Sequence, residues 1–150
     1  MDEGVNTPEP VANWVRAGLV ALAAPQLVTG VWAIFDPTGW YRNFPGFDPR
    51  LVAAEPPFNH HLAVDAGAGF LATAVALLLA AWWAERRVVL LALATYLAFA
   101  LPHLAYHAAN PAPGLTDAEN ARNVATLVIA AAFPVVLLWG LARRSRRPIP

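Results

Sequence analysis

The stretch NHHLAVDAGAGFLATAVALLLAAWW, residues 59–83, decides the fold. From Leu62 onward it is apolar and rich in Ala and Leu, and its one carboxylate is Asp65. A helix needs about 20 residues to cross roughly 30 Å of hydrocarbon, and this run is long enough. Three other stretches share its character: Asn13–Phe35, Val88–His107 and Ala121–Leu141. With Asn59–Trp83 they predict an all-α, four-transmembrane-helix bundle, a polytopic membrane protein with a single four-span domain over residues 1–150.

Composition agrees. The chain is 58% hydrophobic and 13% charged, with mean hydropathy +0.47. A soluble domain carries about 25% charged residues. The deficit names lipid as the main solvent. A hydrophobic soluble bundle would need polar outer faces, which these segments lack. The runs are continuous rather than alternating, which excludes a transmembrane β-barrel. There is no cysteine, so disulfides, iron–sulfur clusters and thiolate metal sites are excluded. All the basic residues are Arg, and the only basic run is the tail RRSRR, so nucleic-acid binding is not expected. The tail reads as an anchor for anionic lipid heads. The opening MDEGVNTPEP is acidic, unlike the basic start of a secretory signal, so the first apolar segment is expected to be a retained span.

Arginine placement predicts direction. Arg16, Arg86, Arg87, Arg143, Arg144, Arg146 and Arg147 share one side with both termini and the AERR turn; Arg42, Arg50 and Arg122 share the other. Both termini are therefore expected in the cytoplasm and both long loops outside. Trp14, Trp82, Trp83 and Trp139 then mark the inner interface, and Trp32 and Trp40 the outer one. The loop from Asp36 to Phe58 holds five prolines and several aromatics, and is expected to lie on the membrane surface or to fold over the bundle mouth and gate it.

Polar residues concentrate at the outer end. His61 and Asp65 stand i, i+4 on span 2, so they share a helix face; His103 and His107 do the same on span 3. An intramembrane carboxylate is a functional candidate, because its insertion costs roughly 2.5–3.5 kcal/mol even on lenient scales. The two helices are antiparallel, which sets His61 level with His107 and Asp65 level with His103. If the faces point at each other, all four meet in one pocket. Three imidazoles and a carboxylate suit a divalent transition metal, with Zn²⁺ or Fe²⁺ the leading candidates among Zn²⁺, Fe²⁺, Mn²⁺ and Cu²⁺. In that reading His61, His103 and His107 are ligands, and Asp65 is a fourth ligand or the catalytic base of an enzyme on a lipid-soluble or small substrate. Asp117, Glu119, Asn120 and Asn123 would add hydrogen bonds from span 4.

Other readings stay open. His61 with His103 or His107 could hold haem b, making the chain an electron carrier. The cluster could instead be structural polar glue in a non-catalytic subunit, or part of a proton or substrate pathway. His60 faces about 100° away from His61 and reads as an interface residue. Pro102 is expected to kink span 3, and Pro25 and Pro134 can do the same in spans 1 and 4. Ala66, Gly67, Ala68 and Gly69 offer either close helix packing or room for a flat ligand. Phosphate-binding glycine loops and serine-nucleophile motifs are absent, and Ser145 is the only serine. A homo-oligomer is a further possibility, but no face announces itself as the interface.

The pattern N-x-H-L-x-x-D-x-G-A, here Asn59, His61, Leu62, Asp65, Gly67 and Ala68, precedes P-H-x-x-x-H, here Pro102, His103 and His107. Together they resemble a family of small, functionally uncharacterised bacterial four-helix integral membrane proteins, from Trp14 to about Leu141. The resemblance implies the four-helix fold, a bacterial inner membrane, and a shared role for these polar positions. It carries no activity. Members often have an acidic residue where His60 stands and another His near Asn110; this chain departs at both positions.

Overall fold

The computed structural model describes the backbone of residues 11–144 and the side chains of residues 11–142. The acidic opening and residues 145–150 of the basic tail lie outside the described residues. Five helices follow in order: α1 (Asn13–Phe35), α2 (Pro37–Asn43), α3 (His60–Trp83), α4 (Arg86–Ala109) and α5 (Asp117–Arg144). Four of them, all but α2, are long and apolar enough to cross a membrane. No strand occurs among the described residues.

Local chemistry sets the helix ends. Asp36 closes α1 and caps α2: its Oδ1 accepts the Gly39 N–H at 2.9 Å, and Pro37 supplies the first helical position. Asn59 caps α3 by accepting the Leu62 N–H at 3.1 Å. Ala84 ends α3 in the left-handed region at φ 56° and leads directly into α4. Thr116 and Glu119 form a reciprocal cap for α5: the Thr116 N–H donates to Glu119 Oε2 at 2.9 Å and the Glu119 N–H to Thr116 Oγ at 3.3 Å. This cap starts α5 at Asp117, one turn earlier than apolarity alone predicts. Helix α2 is likewise an addition within the proline-rich loop. Helices α1, α4 and α5 continue through their internal prolines, Pro25, Pro102 and Pro134.

Helices α1 and α3 pack most closely. A Cβ on Gly30 would lie 2.9 Å from the Gly67 carbonyl oxygen and 2.7 Å from the Leu71 nitrogen, so backbone meets backbone at this crossing. The two ends of the bundle differ. At the terminal end, which carries both chain ends and the tight turn, Val15, Leu19, Leu22, Leu77, Val89, Leu93, Tyr96, Leu137 and Leu141 fill the interior. There α5 seats on α1, with Leu137 against Gly18 and Trp14 against Gly140. The Arg16 Nε–H donates to the Ala81 carbonyl at 2.9 Å, and the Val11 N–H to that of Ala84. The loop end holds only a smaller cluster, Ala33, Trp40 and Ala63, with Trp32, Phe44 and Phe70 against it. The bundle's outer surface is oily: Val28, Leu91 and Ile129 are each more than 60% exposed. Such a surface suits lipid and not water.

Candidate functional site

The loop half of the bundle is hollow. A cavity of about 970 Å³ opens there, walled by α1, α3, α4 and α5 and roofed by the loop after α2. Pro25, Gln26 and Thr29 come from α1, Ala66 and Phe70 from α3, Phe99, His103 and His107 from α4, and Asn123 and Leu127 from α5. The volume is at the upper end of the 300–1,000 Å³ typical of small-molecule sites.

The roof is built from sequence upward. The Leu51 N–H donates to the Phe44 carbonyl at 2.9 Å, and Arg50 Nη1 donates to the Asn43 carbonyl at 2.9 Å while Nε pairs with Asp48 at 3.0 Å. These contacts hold Phe44, Phe47 and Leu51 over the cavity. The two long loops also grip each other. The Gly114 N–H donates to the Ala54 carbonyl at 3.2 Å, and Gly114 lies so close to Ala54 that a Cβ there would sit 2.8 Å from its Cα. Asn120 fastens the second loop by accepting the Ala112 N–H at 2.9 Å and donating to the Ala112 carbonyl at 3.3 Å. It is spent on the loop rather than on the cavity.

An aromatic ladder lines the α3–α4 wall. Phe70 meets Phe99 edge-on at 4.9 Å, Phe99 stacks on His103 at 5.7 Å, and His103 meets His107 edge-on at 4.8 Å. Glu55 reaches down from the roof to place Oε1 3.9 Å from His107 Nδ1, beyond hydrogen-bonding distance. That oxygen is buried and has no hydrogen-bond partner in the protein, and the same holds for Trp40 Nε1; Gln26 Oε1 is also buried without a partner, but the Gln26 amide contacts the Tyr96 hydroxyl. All three residues line this one cavity.

The structure therefore divides the four expected site residues into two pairs. His103 and His107 line the cavity. His61 and Asp65 pair with each other at 3.2 Å on an exposed face of α3, and neither lines the cavity. The expected four-residue convergence is not formed, and among the described residues no group of three or more His, Asp or Glu could hold a metal ion. The physical reason is the rotation of α3. Gly67 is buried against Ala33, Ile34 and Gly30 of α1, which turns Leu62, Ala66 and Phe70 to the cavity and His61 and Asp65 away from it. A haem axial pair drawing on His61 meets the same obstacle. His60 is exposed, its ring edge-on to Phe58 at 6.4 Å.

Gln26, Trp40 and Glu55 were not expected as site residues. Gln26 carried a readable signal, an amide in the middle of an apolar span. Glu55 and Trp40 carried none, because their positions follow from how the roof folds. A scan of family models, a search of curated proteins and a search of solved structures each find no match to this chain.

Proposed function

We propose that this chain is a ligand-binding membrane protein whose loop-end cavity takes up a small, lipid-soluble molecule with a hydrogen-bonding head. The unpaired Glu55 and Trp40 groups carry this reading. Each unsatisfied buried polar group costs about 1–3 kcal/mol, and here an indole donor and a carboxylate acceptor without partners belong to residues that line one space. A small turn of these side chains on binding would bring them to a ligand that carries a hydroxyl or N–H and one acceptor atom. The rings of Phe44, Phe70, Phe99 and His103 offer flat apolar faces to an aromatic or cyclic head. Glu55, His103 and His107 can exchange a proton with a bound hydroxyl, and no bond-breaking step is assigned. The arginine bias supports a cytoplasmic side for both termini and the outer leaflet for the cavity.

The test uses protein in nanodiscs with 4-hexylphenol and hexylbenzene as probes. The two share a shape and differ in the hydroxyl. A molecule bound by the folded state alone raises the unfolding midpoint with its concentration. 4-Hexylphenol is expected to raise the midpoint saturably and hexylbenzene much less. The difference should vanish in Ala100→Trp, which fills the cavity from α4. Equal behaviour of the two probes in wild type and in Ala100→Trp would overturn the proposal.

A further inference from the structure

We infer that the exposed face of α3 is the contact between two copies of this chain. His61, Asp65, Ala68, Ala72, Val75 and Leu79 are all exposed. Their spacing alternates four and three, which draws one straight stripe down a helix and is the seam two parallel helices use to pack. The stripe lies about half a turn round from Ala63, Gly67 and Ala74, which are buried. It is also off the cavity wall, so this inference stands apart from the ligand reading.

The His61–Asp65 pair indicates what covers the stripe. Its side chains are 81% and 58% exposed at a separation of 3.2 Å. Helix α3 has 24 residues and is roughly 36 Å long, against about 30 Å of hydrocarbon, so Asp65 sits roughly 5 Å inside the apolar layer when the helix is centred. A carboxylate facing acyl chains at that depth is unfavourable, and its one partner is as exposed as itself. The patch is self-complementary, with a donor ring one turn above an acceptor carboxylate. Two copies inserted the same way are related by a two-fold axis along the membrane normal, which sets each stripe against itself. Each Asp65 then lies between its own His61 ring, at 3.2 Å, and the ring of the second copy, which replaces lipid around it with polar groups. Ala68 and Ala72 follow directly below and allow the backbones to approach, with Val75 and Leu79 packing deeper. A partner of different chemistry would have to supply both a donor and an acceptor at this height; a second copy supplies them by symmetry.

The chain has no cysteine, so a single introduced one reports unambiguously. Ala68→Cys and Ala72→Cys are made separately, with Ile129→Cys, exposed on α5, as the control. Each is oxidised in native membranes and disulfide-linked dimer is measured on a non-reducing gel. High dimer yield is expected at positions 68 and 72 and little at 129. Adding Asp65→Leu to Ala72→Cys should lower the yield several-fold, while native mass spectrometry of the Asp65→Leu protein checks that it remains folded and shifts toward monomer. Yields at 68 and 72 no higher than at 129 would overturn the inference, whether lipid or another protein then covers the stripe. Dimer yield unaffected by Asp65→Leu would overturn the role given to the ion pair.

Discussion

The crossing of α1 and α3 fixes two walls of the cavity, and three glycines near it make a graded test of the packing. A Cβ at Gly30 would meet the Leu71 nitrogen at 2.7 Å, the Gly67 oxygen at 2.9 Å and the Leu71 Cα at 3.0 Å, all backbone of α3, where ordinary contact begins at 3.4 Å. Backbone cannot rotate aside, so the helices must part. Overpacking costs about 1–3 kcal/mol, and this site belongs at the top of that range. Replacing a mid-helix glycine by alanine returns about 1 kcal/mol of helix propensity. The net expectation for Gly30→Ala is a loss of about 2 kcal/mol. At Gly67 two of the three nearest atoms are side-chain atoms of Ile34 and Ala33, at 2.9 and 3.0 Å, and Ile34 is only half-buried and can shift. The Ala33 Cβ, and the Gly30 oxygen at 3.1 Å, cannot shift without the backbone, so Gly67→Ala should lose about 1 kcal/mol, between the other two. At Gly69 the one neighbour is a Phe99 ring carbon at 3.9 Å, so Gly69→Ala should gain up to about 1 kcal/mol. The assay is reversible unfolding in mixed micelles with increasing dodecyl sulfate, followed by far-ultraviolet circular dichroism. The spread between Gly69→Ala and Gly30→Ala should approach 3 kcal/mol, about two powers of ten in the unfolding constant. If the three variants coincide, or their order reverses, the crossing is not where the structure puts it.

Gln26→Leu should change folded-state stability by less than about 1 kcal/mol, because it removes a buried acceptor together with the contact to Tyr96, and should weaken 4-hexylphenol binding several-fold; midpoint shifts measured with and without the probe separate the two. Asn120→Ala removes the side chain that bridges Ala112 to the start of α5, and is expected to cost about 1–3 kcal/mol and to speed amide exchange in the 110–116 segment. Ala118→Cys, exposed at the start of α5, should react with a membrane-impermeant maleimide on intact cells; labelling only after lysis would reverse the proposed orientation. Elemental analysis of purified protein tests the metal reading directly: metal bound near one-to-one and lost in His103→Ala would support a site on α4, and its absence would agree with the separation of the His61–Asp65 and His103–His107 pairs.

The spans were legible because lipid demands continuous apolar runs, and α1 was bounded to the residue, Asn13–Phe35. The start of α5 was not, because its first turn is polar and is specified by the Thr116–Glu119 cap instead of by apolarity. At the polar residues, i, i+4 spacing stated correctly that His61 shares a face with Asp65, and His103 with His107. Spacing within one helix has no bearing on which way that face turns. The rotation of α3 is decided by Gly67, whose neighbours belong to α1. Its sequence role, close packing or room for a ligand, was open between two readings, and the structure selects packing. Glu55 lay beyond reach of any periodicity, because its place beside His107 depends on a roof held by Arg50, Gly114 and Ala54.

The unequal halves of the bundle bear on what the cavity contains. Leu19, Leu77, Leu93 and Leu137 are fully buried in the terminal half, whereas the loop half holds the cavity. The cavity of about 970 Å³ opens at the loop end and is walled mainly by apolar side chains, so whatever fills it in the membrane meets rings and aliphatic groups on most sides. Water would suit Glu55 and Trp40 but would hydrate Phe44, Phe70, Phe99 and Leu127. An acyl chain would suit the rings and leave the two polar groups unmet. A molecule with an apolar body and a hydrogen-bonding head satisfies both sets. Organic extraction of purified protein followed by mass spectrometry should therefore release such a molecule from wild type. Ala100→Trp should release much less, and recovery of phospholipid alone from both would remove the argument for a dedicated ligand.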